Sequence, residues 1–348
     1  MSCAMGDLPF LFRAQARQCT IFGSQFTAAL LERAVRDLEE GGPLTALVAG
    51  RDWRPADALP LRFAGAVHAA ALRDADFGAL YPPACGEWDI ERIWAHTCDL
   101  MTRDPDFFAA FLRHAPQTNE TRRTLALLPA FLHVANGAAP LHMLEIGASA
   151  GLNQSWDKFS YHTQTWRWGA GAPPLIDTDW RGPAPAYLGP LNVVSRAGCD
   201  LNPMDARDPA MRARLKAFIW ADQPERIARF DAAADLAIAR DVRIDREDAV
   251  TWVARKLAAL PEGVTILYHS IVWQYLPAET AARITAAIEE AGARATPERR
   301  LAWVRFELDP VLLPSGEYEC DVDVRAWPGG ALTKIARADP HVRWVRTV

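Results

Sequence analysis

The sequence predicts an α/β protein with an all-α amino-terminal part, followed by a mainly parallel sheet that ends in an antiparallel hairpin. Three observations carry this expectation. Apolar residues recur three and four apart from residue 9 to about 135, short apolar runs alternate with helical stretches beyond residue 141, and the final runs follow one another with no helix between them.

In the first half, FRAQARQCTIFGSQFTAALLERAVRDLEE and EWDIERIWAHTCDLMTRD are amphipathic helices, interrupted by the turn residues Gly41-Gly42-Pro43 and Tyr81-Pro82-Pro83. Asp104 caps a helix that Pro105 opens, PDFFAAFLRHA. After Asn136-Gly137 the pattern changes. LHMLEI (141–146) reads as a strand, GASAG as a turn, and LNQSWDKFSYH as a helix. Further strands are expected at LNVVSRAG (191–198), VTILYHS ending at Ser270, LAWVRFE (301–307), YECDVDVRAW (318–327) and HVRWVRTV (341–348). The helices between them begin at Asp208-Pro209, at QPERIARFDAAADLAIAR and after Pro277, the last stopping at Gly292. Two domains follow from this pattern, a helical one over 1–138 and a sheet domain over 139–348. The latter carries an insertion at about 166–190 that is too rich in Gly, Pro and Trp to be an ordinary connection.

Composition narrows the function. A net charge of −5 and no clustered basic stripe argue against a nucleic-acid partner, because neutralising phosphates needs concentrated cations. No uncharged apolar run reaches the roughly 18 residues of a membrane span, and no signal peptide is recognisable, so a cytoplasmic protein with no membrane association is expected. The cysteines (Cys3, Cys19, Cys85, Cys98, Cys199, Cys320) form no C-x-x-C pair, and the histidines form no H-x-x-x-H or H-E-x-x-H pattern. Reduced thiols and no metal are therefore expected.

The segment Glu145-Ile146-Gly147-Ala148-Ser149-Ala150-Gly151 carries the chemistry. Glycines at a strand-to-helix turn let backbone approach a ligand at the edge of a parallel sheet. The same residues satisfy G-x-S-x-G, the nucleophile elbow of serine hydrolases, which would make Ser149 a nucleophile. An elbow normally follows several strands, however, and everything before residue 141 is helical. A ligand-binding loop is the favoured reading, intended for a small-molecule substrate or cofactor.

LEIGASAGLN resembles motif I of the class I methyltransferases, with Ser149 where glycine is usual. The wider chain resembles the bacterial domain of unknown function 2332 family in EIGASAGLN (145–153), GCDLNPMD (198–205), FIWADQPERIAR (218–229), YHSIVWQYLP (268–277) and RAWPGGALTKIA (325–336). The methyltransferase resemblance implies a Rossmann-like sheet and S-adenosylmethionine as cofactor. It implies that Glu145, Gly147, Ser149, Gly151 and Asn153 lie along the amino-acid part of that cofactor. Asp200 would take the ribose hydroxyls and Asp248 the adenine amino group. Asp200 follows Gly151 at a much greater distance than the about 20 residues usual for a nucleotide unit. The insertion accounts for the excess, and Asp177 and Asp179 are rivals. In such a fold VTILYHS ends near the methyl donor, which makes His269 the candidate general base. No N-P-P-[YF] signature of amide methylation is present. The expected activity is methyl transfer to a small or medium-sized acceptor; the alternatives are a non-catalytic nucleotide or S-adenosylmethionine sensor and a Ser149 hydrolase. The sequence assigns no oligomeric state.

Overall fold

The computed structural model describes residues 8–117, 119–135, 137, 139–312 and 318–348, so Cys3 and Asn136 lie outside the described residues. The helices of the first half are α1 (Leu8–Ile21), α2 (Gln25–Glu40), α3 (Pro43–Val48), α4 (Leu59–Arg73), α5 (Ala75–Leu80), α6 (Ile90–Arg103), α7 (Pro105–Leu112) and α8 (Arg123–Ala135). Those of the second half are α9 (Pro209–Ala217), α10 (Pro224–Ala239), α11 (Ala249–Lys256) and α12 (Ala278–Ala293). Side-chain caps start several of them. Ser24, Asp74, Asp89, Asp104, Asp208 and Asp248 each accept a backbone N–H of the first helical turn.

The chain forms two compact units. The first holds residues 1–118 together with 208–228, so a segment from deep in the second half of the sequence completes the helical part. That segment is stitched in by specific bonds. Ser24 Oγ donates to Asp222 Oδ1 at 2.5 Å, Phe26 N donates to Asp222 Oδ2 at 2.9 Å, and His68 Nδ1 lies 3.2 Å from the Ala217 carbonyl. Phe218 and Trp220 join Phe12, Phe26, Phe63, Trp94 and Phe108 in one apolar core. The motif FIWADQPERIAR, apart from its last residue Arg229, thus serves the helical unit, through packing and an Asp222 cap.

The second unit, residues 119–207 and 229–348, holds the sheets. Its strands are β1 (Pro140–Ile146), β2 (Ser160–His162), β3 (Arg167–Trp168), β4 (Leu175–Asp177), β5 (Asp179–Arg181), β6 (Asn192–Asp200), β7 (Asp245–Arg246), β8 (Gly263–Ser270), β9 (Arg299–Leu312), β10 (Tyr318–Trp327), β11 (Ala331–Ala338) and β12 (Trp344–Thr347). A nine-stranded, mostly parallel sheet runs in the order β5-β12-β11-β10-β9-β8-β1-β6-β7. From β7 to β9 every pair is parallel, and β9 to β12 form an antiparallel meander. The expected hairpin is therefore longer than a single pair, because the Gly329-Gly330 turn lets the chain fold back at once into β11.

Alternation along the strands sorts residues between the two faces of the sheet. Leu144, Ile146, Leu267 and Trp303 pack with Trp252 and Val253 of α11 and Ile284 and Ile288 of α12. Their neighbours Glu145 and Tyr268 point the other way, where the ring of Phe131 from α8 meets Tyr268 at 5.2 Å.

Two local expectations change. The segment after the glycine turn is a 3-10 helix over Leu152–Lys158 with a non-helical Ser155, and Ser160–His162 is a strand, where an α-helix was expected. The helix breaks at Ser155, whose φ of −98° and ψ of 16° are not helical, and Asp157 is drawn into an ion pair with Arg196 of β6 at 3.0 Å. The Gly/Pro/Trp-rich insertion is ordered. β2, β3 and β4 make a three-stranded sheet, and β5 joins the edge of the large one beside β12. Trp166 and Trp180 are buried in it, and Trp156 is buried in the 3-10 segment before it, where it stacks on Trp168 at 6.0 Å. Cys19, Cys199 and Cys320 are buried and Cys85 and Cys98 partly so, all as free thiols. Among the described residues no helix is long and apolar enough to cross a membrane.

Candidate functional site

Ligands of open α/β sheets bind outside the carboxyl ends of the strands, where the strand order reverses. Here that point lies between β1 and β8, with β6 and β7 beyond β1 and β9 beyond β8. Both strands end in unusual backbone. After β1, Gly147, Ser149 and Gly151 have φ of 69°, 53° and 70°. After β8, Ile271 has φ 52°, a conformation that β-branched residues rarely adopt and that costs about 1–3 kcal/mol.

The turn after β1 is held from several sides. Gly147 N and Ala148 N donate to the Cys199 carbonyl of β6 at 2.9 and 3.0 Å, and Gly151 N donates to the Ala148 carbonyl at 2.7 Å. Ser149 N donates to Asp200 Oδ2 at 2.9 Å, while Asp200 Oδ1 accepts from Asn202 N at 2.8 Å. Asn119 clasps the other side, donating through Nδ2 to the Ala148 carbonyl at 2.9 Å and accepting Leu152 N through Oδ1 at 3.1 Å. With these amides given to protein acceptors, the turn is no phosphate cradle, which needs free N–H groups. The polar groups left over at the turn are side chains instead. Ser149 Oγ and Asn153 Oδ1 are shut from water and make no hydrogen bond among the described residues.

Glu145 lies behind the turn. It is buried, and its Oε2 accepts from Gln154 Nε2 at 2.6 Å and from the Tyr268 hydroxyl at 3.2 Å. Burial pushes its pKa up to about 7, the two hydrogen bonds opposing that rise. Beside Ala150, a cavity of about 170 Å³ is lined by Met204, Ile238, Val242 and Ile244, with Arg207 and Arg243 among its polar walls. Ligand pockets for whole drug-sized molecules run to about 300–1,000 Å³, so this one takes a ring-sized group.

His269 lies on the opposite face of the sheet from Glu145. Its ring is fully buried and stacks on Trp273 at 4.8 Å. Trp303 Nε1, which can only donate, gives its proton to His269 Nε2 at 3.0 Å. The ring proton therefore sits on Nδ1, which donates to Glu307 Oε1 at 2.5 Å. The nitrogen that would take a substrate proton is already an acceptor. Glu307 also accepts Val272 N and Trp273 N at 3.1–3.2 Å, so this network fixes the turn after β8.

A family model described as an uncharacterized protein conserved in bacteria, DUF2332, matches residues 10–347. The chain belongs to the DUF2332 family. Searches of curated proteins and of solved structures return no match.

In this DUF2332 protein Gly147, Ser149, Gly151, Asn153 and Asp200 come together at the ends of β1 and β6. Asp248 caps α11 just after β7, with Oδ1 accepting Val250 N and Thr251 N and Oδ2 accepting Thr251 Oγ1, bonds that hold its pKa below the usual carboxylate range. Asp179 pairs with Arg181 on β5, at the far edge of the sheet, and Asp177 pairs with Arg122. Sequence reasoning missed Asn119, Arg122, Arg123 and Glu307. The segment 119–123 ties the β1 turn through Asn119 and the end of β8 through Arg123, whose Nη1 donates to the Ser270 carbonyl at 3.3 Å. Nothing in local periodicity marks such residues.

Gly147 also packs tightly. A Cβ there would lie 2.4 Å from Val272 Cγ2. Gly147→Ala is expected to cost about 2–4 kcal/mol, combining positive φ with overpacking. In a Val272→Ala background the penalty should fall to about 1–2 kcal/mol, the backbone part. Urea denaturation of the four proteins checks this, and equal penalties in both backgrounds would remove Val272 from the account.

Proposed function

We propose that this protein is an S-adenosylmethionine-dependent methyltransferase acting on a small or medium-sized acceptor. One observation carries the reading. A carboxylate, Asp200, ends the strand next to β1 and reaches the glycine turn whose Ser149 Oγ and Asn153 Oδ1 await polar partners. The parallel strands β7-β6-β1-β8-β9 also follow the order of a doubly wound nucleotide-binding sheet. A turn with few free amides suits a cofactor without phosphates better than a dinucleotide.

The residues present fit this group. When bound, S-adenosylmethionine supplies a methyl group activated by a sulfonium. Asp200 would accept the ribose hydroxyls while keeping its bond to Ser149 N. The cavity beside Ala150 would take the base. Ser149 Oγ and Asn153 Oδ1 would meet the polar tail, and Glu145 orders Gln154 and Tyr268 behind it. Asp248 lies at the end of β7, with its carboxylate engaged in the α11 cap. His269 acts as a positioning residue, setting the turn after β8 through Glu307. Catalysis is then mainly alignment of acceptor and cofactor.

Calorimetric titration of the full chain with S-adenosylmethionine and S-adenosylhomocysteine is the test. Micromolar binding is expected, weakened about tenfold to a hundredfold in Asp200→Ala through loss of charge-assisted hydrogen bonds. No binding of either compound overturns the reading. Binding without turnover on any acceptor would leave the sensor reading.

Ser149 offers a second reading, because its positive φ within G-x-S-x-G matches the strained turn of a hydrolase elbow. Its Oγ has no histidine partner among the described residues, however. Fluorophosphonate labelling that disappears in Ser149→Ala would establish the hydrolase.

A further inference from the structure

We propose that Arg122 and Arg229 form an oxyanion subsite for the carboxylate or phosphate group of the acceptor, held in the free protein by the chain's own Asp177. The role of the subsite rests on the methyltransferase reading; its existence does not.

Two guanidiniums converge on one carboxylate oxygen. Arg122 Nη2 lies 2.8 Å and Arg229 Nη1 3.8 Å from Asp177 Oδ1. Both arginine side chains are largely withdrawn from solvent, 17% and 8% exposed, whereas that of Asp177 is 62% exposed. Arg122 Nε is buried and has no hydrogen-bond partner among the described residues, so a donor of this guanidinium is left over. Planar guanidinium forks match carboxylate and phosphate oxygens two at a time. The 2.8 Å bond from Arg122 Nη2 to Asp177 uses only part of the capacity of the Arg122 fork.

The location suits a substrate group. Arg122 belongs to the segment whose Asn119 holds the glycine turn and whose Arg123 holds the end of β8. The other carboxylates nearby are engaged. Glu120 accepts Arg122 N at 3.1 Å, and Asp339 pairs with Arg343. Displacing Asp177 needs no backbone movement. Its neighbour Thr178 is tied to the Val342 carbonyl at 2.8 Å and Asp179 N to the Arg343 carbonyl at 3.0 Å, so only the Asp177 side chain has to swing into water. With most of the Asp177 side chain in water, its hold on the arginines is weak, a factor of about five, and a ligand using both arginines outcompetes it.

The test titrates the full chain with inorganic phosphate and with succinate at an ionic strength fixed by chloride, using calorimetry and thermal unfolding. Asp177→Asn, a change on an exposed side chain, is expected to bind one or both anions about fivefold more tightly than the wild type. Adding Arg122→Gln should weaken that binding at least about tenfold. Preference for phosphate or for succinate identifies the acceptor's anionic group. Equal binding by wild type and Asp177→Asn, or binding that survives Arg122→Gln, overturns the subsite. S-adenosylhomocysteine titrated into the same proteins separates the two ideas. If it binds while the anions do not, the subsite falls alone; if the anions bind while it does not, the methyltransferase reading falls alone.

Discussion

Glu307→Ala is expected to lower stability by about 3–5 kcal/mol, while Glu307→Gln should cost about 1–2 kcal/mol. The carboxylate accepts from His269 Nδ1, Val272 N and Trp273 N together. Alanine leaves all three donors unpaired, one of them on a fully buried ring whose other nitrogen is already occupied by Trp303. Each orphaned buried donor costs about 1–3 kcal/mol, and partial access of water at this side chain keeps the total below the simple sum. Glutamine keeps an acceptor oxygen and the shape. The turn also holds Ile271 at positive φ, and the Glu307 bonds to the next two amides offset that strain. Urea denaturation of both variants decides the matter. Alanine and glutamine costing the same, within about 0.5 kcal/mol, would mean that the carboxylate does not organise the turn.

Much of this architecture is readable in sequence because local chemistry decides it. Asp104-Pro105 and Asp208-Pro209 cap and open helices as expected, and the apolar runs at 141–146 and 318–327 are strands. The glycines at 147 and 151 mark a left-handed turn for the same reason. What was not legible depends on partners distant in sequence. The segment 208–228 completes the helical unit because Asp222 meets Ser24 and Phe218 meets the core, neither of which leaves a periodic trace. The 3-10 segment after Gly151 reads as helix by apolar spacing, yet its backbone breaks at Ser155 and its Asp157 pairs with Arg196 of β6, a partner distant in sequence. At the candidate site, Gly147, Ser149, Gly151 and Asp200 were visible as residue types at a turn and a strand end. Asn119 and Glu307 were not, since an asparagine between helices and a glutamate in a strand look like surface residues until the fold turns them inward. The faces of the strands mattered as well. Glu145 and His269 both stand near carboxyl ends, but strand alternation puts them on opposite sides of the sheet, a relation that register settles and spacing alone does not.

Glu145→Gln is expected to remove a pH-dependent loss of stability of about 3 kcal/mol. Burial raises the Glu145 pKa from 4.5 to about 7, with Gln154 and Tyr268 opposing the rise. Between those values the folded protein keeps a proton that the unfolded chain gives up. The contribution is therefore fully present below about pH 4.5 and is lost as pH rises through about 7. A side-chain amide cannot ionise and so removes that slope. It also fits the local bonding. Its carbonyl oxygen can accept from Gln154 Nε2 and the Tyr268 hydroxyl, as the carboxylate oxygen does, and its NH2 can donate to Gln154 Oε1, which is buried and has no partner among the described residues. Unfolding free energies of wild type and Glu145→Gln at pH 5 and pH 8 provide the check. The variant should gain on the wild type by about 3 kcal/mol between the two conditions. An offset that stays constant with pH would place the carboxyl outside the titrating range, and Glu145 would then be an ordinary ionised acid behind the glycine turn.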